Sequence, residues 1–522
     1  MTHKNISARI ARRSSIFWSA LIVFIFCGII SAFAAAAPDS AESRRKATTE
    51  LQSVAGYANV ERITKLIQEG ANVNAFGGNG LTPLMWAAQE NPNSEVTRVL
   101  IENGADVDKI DRNGRTPLMH ATWNRNIDVL RVLIENSADT NIADNKGNTP
   151  LSLAAENNRD TEFVRILIEN GAKNINSING SQMTPLMIAA KSNPNPEILR
   201  VLIENGADVN AANDNEETPL KYAAIKGNAD ILKILVENGA DVNAADHDKG
   251  TSLMYAAQKG NADKLKILVA NGADINALDK DGWTPLLYAT QNENPAASIF
   301  LINNGADVNV ATNEGITPLM YAAYWENTDM LQNLVENGAD VNAVDNDGWT
   351  PLMYIAENKL GILDGRVRFG NLDALRILIE RGANVNAANR KGRTPLMLVS
   401  KNSTILETLK ILIENGANVN AVDNNGWTPL IWAAKYGTKP QIMMQLLLDN
   451  GANAKAKNNE GKTANDYIRD RTIDGFLNPI LVFLYFGGGI VILPSLFAII
   501  LLVYLSRKII KKIIKWKEDE RI

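Results

Sequence analysis

Apolar and polar positions along most of the chain follow a helical spacing that stops and restarts. Between 315 and 341, Leu319, Ala322 and Ala323 fall at i, i+3 and i+4. After Asn327-Thr328-Asp329, the residues Met330, Leu331, Leu334 and Val335 take up the same spacing again. Each stripe predicts a short amphipathic helix, and the polar triplet between them predicts a turn. The punctuation agrees. Thr317 offers a hydroxyl to cap a helix, and Pro318 at the first helical position gives up no N–H that the helix needs. Gly338 suits the left-handed residue that ends a helix. Asp345-Asn346-Asp347-Gly348 predicts an extended arm and a tight turn leading to the next unit.

The same unit recurs along the chain. Thr-Pro-Leu stands at Thr82, Thr116, Thr149, Thr184, Thr218, Thr284, Thr317, Thr350, Thr394 and Thr428, and Thr251-Ser252-Leu253 fills one further slot. The successive spacings are 33 to 35 residues, with one of 44 after Thr350. Gly-Ala-Asx keeps step from Gly70 to Gly451, with variants at Ser137-Ala138-Asp139 and Gly171-Ala172-Lys173. A 33-residue period carrying these two landmarks resembles the ankyrin repeat. The resemblance implies an all-α solenoid of about twelve helix-turn-helix repeats with short turn or hairpin tips over 46–472. No unit can bury its stripe alone, so neighbours stack and share one continuous core. Two short helices in 50–68 read as the first cap, and Lys462 to Tyr467 followed by Arg469, Asp470 and Arg471 read as the last. In ankyrin repeats the residue after Leu is often a histidine that braces the loop. Here it is Met85, Met119, Met187, Met254, Met320, Met353 and Met397, so packing is expected to replace that hydrogen bond. The surplus after Thr350 falls near 359–370, between the two helices of its unit.

The ends depart from this pattern. Arg9, Arg12 and Arg13 precede an apolar run from Ile16 to an alanine cluster at 34–37, which predicts a signal peptide over 1–36 or an uncleaved signal anchor. No charge occurs from Gly475 to Ser506, which predicts a C-terminal transmembrane helix over 477–505. The tail 506–522 places Ile pairs every four residues among lysines. A helix in the headgroup layer, with Lys508, Lys511, Lys512, Lys515 and Trp516 against lipid, and a plain stop-transfer signal both fit. Basic flanks at both ends predict a single-pass membrane protein with extracytoplasmic repeats, periplasmic in a bacterium, and a cytoplasmic C-terminus.

Charge and chemistry narrow the function. The formal charge is −5; residues 1–37 and 477–522 each carry +4, which leaves −13 on the middle. An acidic body opposes nucleic-acid binding. Cys27 is the only cysteine, and His3, His120 and His247 have no histidine at ligand spacing. No metal, cofactor, small-molecule substrate or catalytic residue is expected. The acidic pairs around Asp246, Asp279 and Asp345 read as turn residues rather than a calcium loop.

The resemblance implies protein binding through turn tips and a concave helical face. Trp283, Trp349 and Trp427 directly precede Thr-Pro-Leu and project there. The residue two after Leu is also biased, as Trp86, His120, Tyr222, Tyr255, Tyr288, Tyr321, Tyr354 and Trp432. It lies about 200° round the helix from the buried Leu, facing the groove. These aromatics read either as a ladder that binds protein or as rings that pack on one another as an inner wall. The expected function is a membrane-anchored scaffold or adaptor for protein–protein interaction outside the cytoplasm. A single-span receptor coupling the repeats to the basic tail is the alternative.

Overall fold

The computed structural model describes residues 41–469 apart from 158–159, 174, 292–294, 358–371, 402–405 and 438–439. Among the described residues the chain forms 25 helices and no strand, only an isolated bridge between Ala245 and Thr251. The chain divides into two compact units, Met1–Asn346 and Asp347–Ile522. The first holds nine helix pairs, from 41–54 with Val60–Gln68 to Pro318–Tyr324 with Thr328–Glu336. The second holds three pairs, from Pro351–Glu357 with Leu372–Glu380 to Pro429–Tyr436 with Pro440–Asp449, followed by a short helix at 464–469. At the start, the first helix is longer than the cap read from 50–68, running from 41 to 54 and taking in Arg44, Arg45 and Lys46.

The unit around Thr317 shows why each pair forms. Thr317 Oγ1 accepts from the Met320 N–H at 3.3 Å, and Met320 Sδ accepts from the Thr317 N–H at 3.5 Å. The same reciprocal cap joins Thr82 with Met85, Thr184 with Met187, and Thr251 with Met254. In these four repeats the methionine after Leu is therefore more than packing: its sulfur takes the weak-acceptor role in the cap while the side chain lies buried. Leu319, Ala322 and Ala323 are buried with it. The second helix starts at Thr328, one residue after its cap Asn327, so two of the three expected turn residues are already helical. It ends with Gly338 at φ +88°, whose N–H donates to Val335 O, while Ala339 donates to Leu334 O at 3.0 Å. That pair of bonds satisfies carbonyls a helix end would otherwise leave open, and no neighbour crowds Gly338, so backbone conformation alone selects glycine there.

Stacking supplies the core. In the first unit, first helices pack on first helices of the next repeat, as Ser252–Gln258 does on Pro285–Ala289, and second helices pack on second helices, as Ala229–Glu237 does on Ala262–Ala270. Leu253, Leu286 and Leu319 are at most 1 % exposed, and each such burial stabilises by about 1.5–3 kcal/mol.

Two polar ladders run along the array beside this core. At the tips, each turn's N–H donates to a carbonyl of the preceding tip: His247 to Asn215, Lys280 to Asp248, Asn313 to Asp281 and Asn346 to Glu314, at 2.9–3.0 Å. The second ladder uses the Asn of Gly-Ala-Asp-Val-Asn. Asn243 Nδ2 donates to Gly272 O at 3.0 Å, while its Oδ1 accepts from the Asp274 N–H at 2.7 Å. Asn74, Asn176, Asn210, Asn276 and Asn309 make the same two bonds, as do Asn386 and Asn420 in the second unit. One amide thus satisfies the carbonyl and the N–H that flank each helix-ending glycine and alanine.

The membrane expectation is corrected. No helix among the described residues is long and apolar enough to cross a membrane. The longest runs from 41 to 54, about 21 Å at 1.5 Å per residue against a hydrocarbon core of about 30 Å. The described residues support the helical solenoid and supply no membrane-spanning helix, so the C-terminal transmembrane helix and the single-pass placement with extracytoplasmic repeats and a cytoplasmic C-terminus lose their support. The segments 1–36, 477–505 and 506–522, the tail residues Lys508, Lys511, Lys512, Lys515 and Trp516, and the insertion near 359–370 lie outside the described residues.

Candidate protein-binding face

Within each unit the first helices and the tips lie on the same side, and a repeated constellation builds that face. Most tips begin with Asp, Asn or Thr, whose side-chain oxygen accepts the N–H groups two and four residues on; the first begins with Gly77 instead. Asp279 Oδ1 takes Asp281 N–H at 2.9 Å and Trp283 N–H at 2.8 Å, and Asp423 does the same for Asn425 and Trp427. This is the turn chemistry expected of these carboxylates. Their second oxygen has a further role. It holds the aromatic nine residues on, at the position two after Leu. Tyr288 OH donates to Asp279 Oδ2 at 2.7 Å, and Tyr255 OH donates to Asp246 Oδ2 at 2.5 Å. Trp432 Nε1 donates to Asp423 Oδ2 at 3.2 Å, and His120 Nε2 lies 3.2 Å from Asp111 Oδ2. In the last repeat Asn458 Nδ2 donates to Tyr467 OH at 2.9 Å. The ring that covers the first helix is thereby pinned to the tip above it.

Tyr255, Tyr288, Tyr321 and Tyr354 are half-buried, and so are Trp283, Trp349 and Trp427. The tryptophans do find rings to join. Trp283 packs on Tyr288 of its own repeat at 5.2 Å between centroids and on Tyr321 of the next at 4.9 Å. In the second unit Trp349 packs on Tyr354 at 5.6 Å, and Trp427 on Trp432, Tyr436 and Tyr467 at 5.2–5.8 Å. Each indole is therefore held by neighbouring rings while part of its surface stays accessible to solvent. Tyr255 stands apart from these stacks. Its ring lies under the Lys221 ammonium, 4.6 Å from the centroid.

Lys221 marks a charged knot that the sequence reading missed. It stands in Thr218-Pro219-Leu220-Lys221, where most repeats carry Met. Its Nζ donates to Glu217 Oε1 at 2.8 Å and to Asp246 Oδ2 at 2.5 Å. Tyr222 OH and Asn213 Nδ2 donate to the other Glu217 oxygen at 2.7 and 2.8 Å. Burial works against charge on Glu217, but the bonds from Lys221, Tyr222 and Asn213 outweigh it and bring its carboxyl down to about 2. Burial likewise opposes charge on Lys221, and its two carboxylate partners outweigh that and raise it. The Tyr255 hydroxyl is pushed up to about 12 by burial and by the Asp246 carboxylate. The signal was present in the sequence: one lysine in a column of methionines, four residues after a glutamate.

Comparison with known families agrees with the geometry. A family model described as ankyrin repeats (3 copies) matches in overlapping stretches, 51–144, 137–213, 193–279, 220–312, 253–345, 299–365, 338–422 and 363–458. The chain belongs to the ankyrin-repeat family, a protein-interaction fold. No curated protein matches it.

Proposed function

We propose that this protein is a scaffold or adaptor that binds protein partners on the face made by its first helices and tips. The observation that carries this reading is the row of half-buried, pinned aromatics. Tyr288, Trp283 and Tyr321 form a preorganised platform, with hydroxyls anchored or rings stacked and each side chain partly exposed. Rigid aromatics lose little entropy on binding and are enriched where binding energy concentrates. Trp283, Trp349 and Trp427 with Tyr255, Tyr288, Tyr321 and Tyr354 are the contact residues. The test is a variant with all three tryptophans replaced by Phe, which keeps a ring in each stack but shrinks the exposed indole surface. Capture of partner proteins from extract, quantified by mass spectrometry, should fall about tenfold while the melting curve stays in place. Undiminished capture refutes the assignment, and early melting makes the three indoles core residues.

A further inference from the structure

The pinned aromatics are interrupted in two consecutive repeats. The position two after Leu is Leu153 in one and Ile188 in the next, although both repeats retain the tip residue nine places earlier, Asp144 and Asn179. With no ring to fill the space, a cleft of about 340 Å³ opens on the first-helix face. Leu153 and Ile188 form its floor at 3 % and 6 % exposure. Arg115, Lys146 and Lys191 stand around it, with Glu156 as the one exposed carboxylate.

Those cations are held differently. The Arg115 guanidinium lies 5.1 Å from the Trp123 ring centroid, and its Nε is 3.5 Å from Asp144 Oδ2, on a carboxylate side chain only 1 % exposed. It is positioned but leaves its outer edge free to bind. Lys191 Nζ approaches Met183 Sδ at 3.8 Å and the Tyr222 ring at 5.3 Å, and neither it nor Lys146 forms an ion pair among the described residues. Both ammonium groups face a cleft on a body that carries −13 between residues 38 and 476. A concentration of unpaired positive charge against that background selects carboxylates.

Resting on the reading that the first-helix face binds protein, we infer that this cleft receives an acidic peptide segment of a partner. Its carboxylates bind Lys146, Lys191 and the open edge of Arg115. The floor is too small and too covered for a large apolar anchor. The charge of the surrounding array opposes a nucleic acid, whose phosphates extend well past three cations.

The neighbouring repeats supply a substitution that closes the cleft. In Leu153→Tyr the new hydroxyl lies nine residues from Asp144, the relation that pins Tyr255 to Asp246 and Tyr288 to Asp279. The probe is a fluorescein-labelled Gly-Asp-Glu-Asp-Glu-Asp-Gly peptide, titrated with the full chain and read by anisotropy. Its amide counterpart, Gly-Asn-Gln-Asn-Gln-Asn-Gly, and an eight-nucleotide oligouridylate are run beside it. The acidic peptide should bind and the other two should not. Leu153→Tyr, and separately the charge reversal of the exposed Lys146 and the half-buried Lys191, Lys146→Glu with Lys191→Glu, should each weaken it at least about tenfold. No binding of the acidic peptide, equal binding by its amide counterpart, tighter binding of the oligonucleotide, or retained affinity in Lys146→Glu/Lys191→Glu overturns the inference. Loss of partner capture in the tryptophan variant alongside a failed peptide titration sinks the cleft alone and leaves the platform standing.

Discussion

Replacing Lys221 by Met puts into this repeat the residue that most other repeats carry, yet it should destabilise. Lys221 and Asp246 are 11 % and 5 % exposed at their side chains, and the cation is shared with Glu217. Removing one partner of a buried pair costs about 3–5 kcal/mol when the other charge is stranded. Asp246 is not fully stranded. It keeps the Tyr255 hydroxyl and the backbone N–H groups of Asp248 and Gly250. Glu217 is 22 % exposed and can be hydrated. The expected loss is therefore lower, about 2 kcal/mol. Adding Asp246→Asn removes the stranded charge, and the structure shows that an Asn is compatible with a tyrosine there, since Asn213 Nδ2 already meets Tyr222 OH at 3.3 Å. The double variant should recover most of the loss, giving a coupling of about 2 kcal/mol in a double-mutant cycle. The readout is amide hydrogen exchange across Ser252–Gln258, because long repeat arrays open locally and a single unfolding midpoint is not well defined for them. Lys221→Met alone should speed exchange there about thirtyfold, the equivalent of about 2 kcal/mol. A coupling under about 0.5 kcal/mol would show the knot to be a solvated surface pair and the argument from burial to be wrong.

Other expectations follow from the same geometry. Asn243→Ala breaks the bonds to Gly272 O and the Asp274 N–H; it should cost about 1–2 kcal/mol, checked by exchange in Ala262–Ala270 and in the Asp274 turn. Ser137 occupies the helix-ending position at φ +68° where other repeats carry Gly, so Ser137→Gly should stabilise its repeat by about 1 kcal/mol, read as slower amide exchange across Ile127–Glu135; faster exchange there counts against the strain argument. The knot also sets a pH window. Glu217 is depressed in the fold, so its contribution is complete above the ordinary carboxylate range and is lost as pH falls from about 4.5 toward 2. Lys221 is raised, so its contribution is complete below the ordinary lysine value and disappears only as pH rises past it. Stability followed by circular dichroism should fall on the acid side, and Lys221→Met should flatten that limb.

The fold was legible because every repeat restates the same local chemistry. Thr317, Pro318 and Gly338 each act within one turn of helix, so their roles follow from neighbours in sequence. What escaped depends on partners a repeat away. Asn243 recurs as plainly as Gly239, but its carbonyl partner is Gly272. Trp283 packs on Tyr288 within its own repeat, but its second ring partner, Tyr321, lies 38 residues on. The orientation of Tyr288 toward the first-helix face could be read from its angle round the helix. Its bond to Asp279 could not, because it needs the tip to fold back over the helix. The methionines were assigned to packing because they stand where a loop-bracing histidine is usual, and only the 3.4–3.5 Å approach of Thr N–H to Met Sδ shows the second role. The apolar runs at the two ends satisfy the composition of membrane segments, but the helices described are those of a stacked array.

The most direct test of the account is site-specific photo-crosslinking of the full chain. A benzophenone side chain replaces Tyr324, exposed on a first helix, or Lys280 at a tip, and in control chains Lys266 or Gln332, exposed on second helices. The account predicts protein adducts from Tyr324 and Lys280 and none from Lys266 and Gln332. Adducts confined to Lys266 and Gln332 would place the partner on the second-helix face and contradict it.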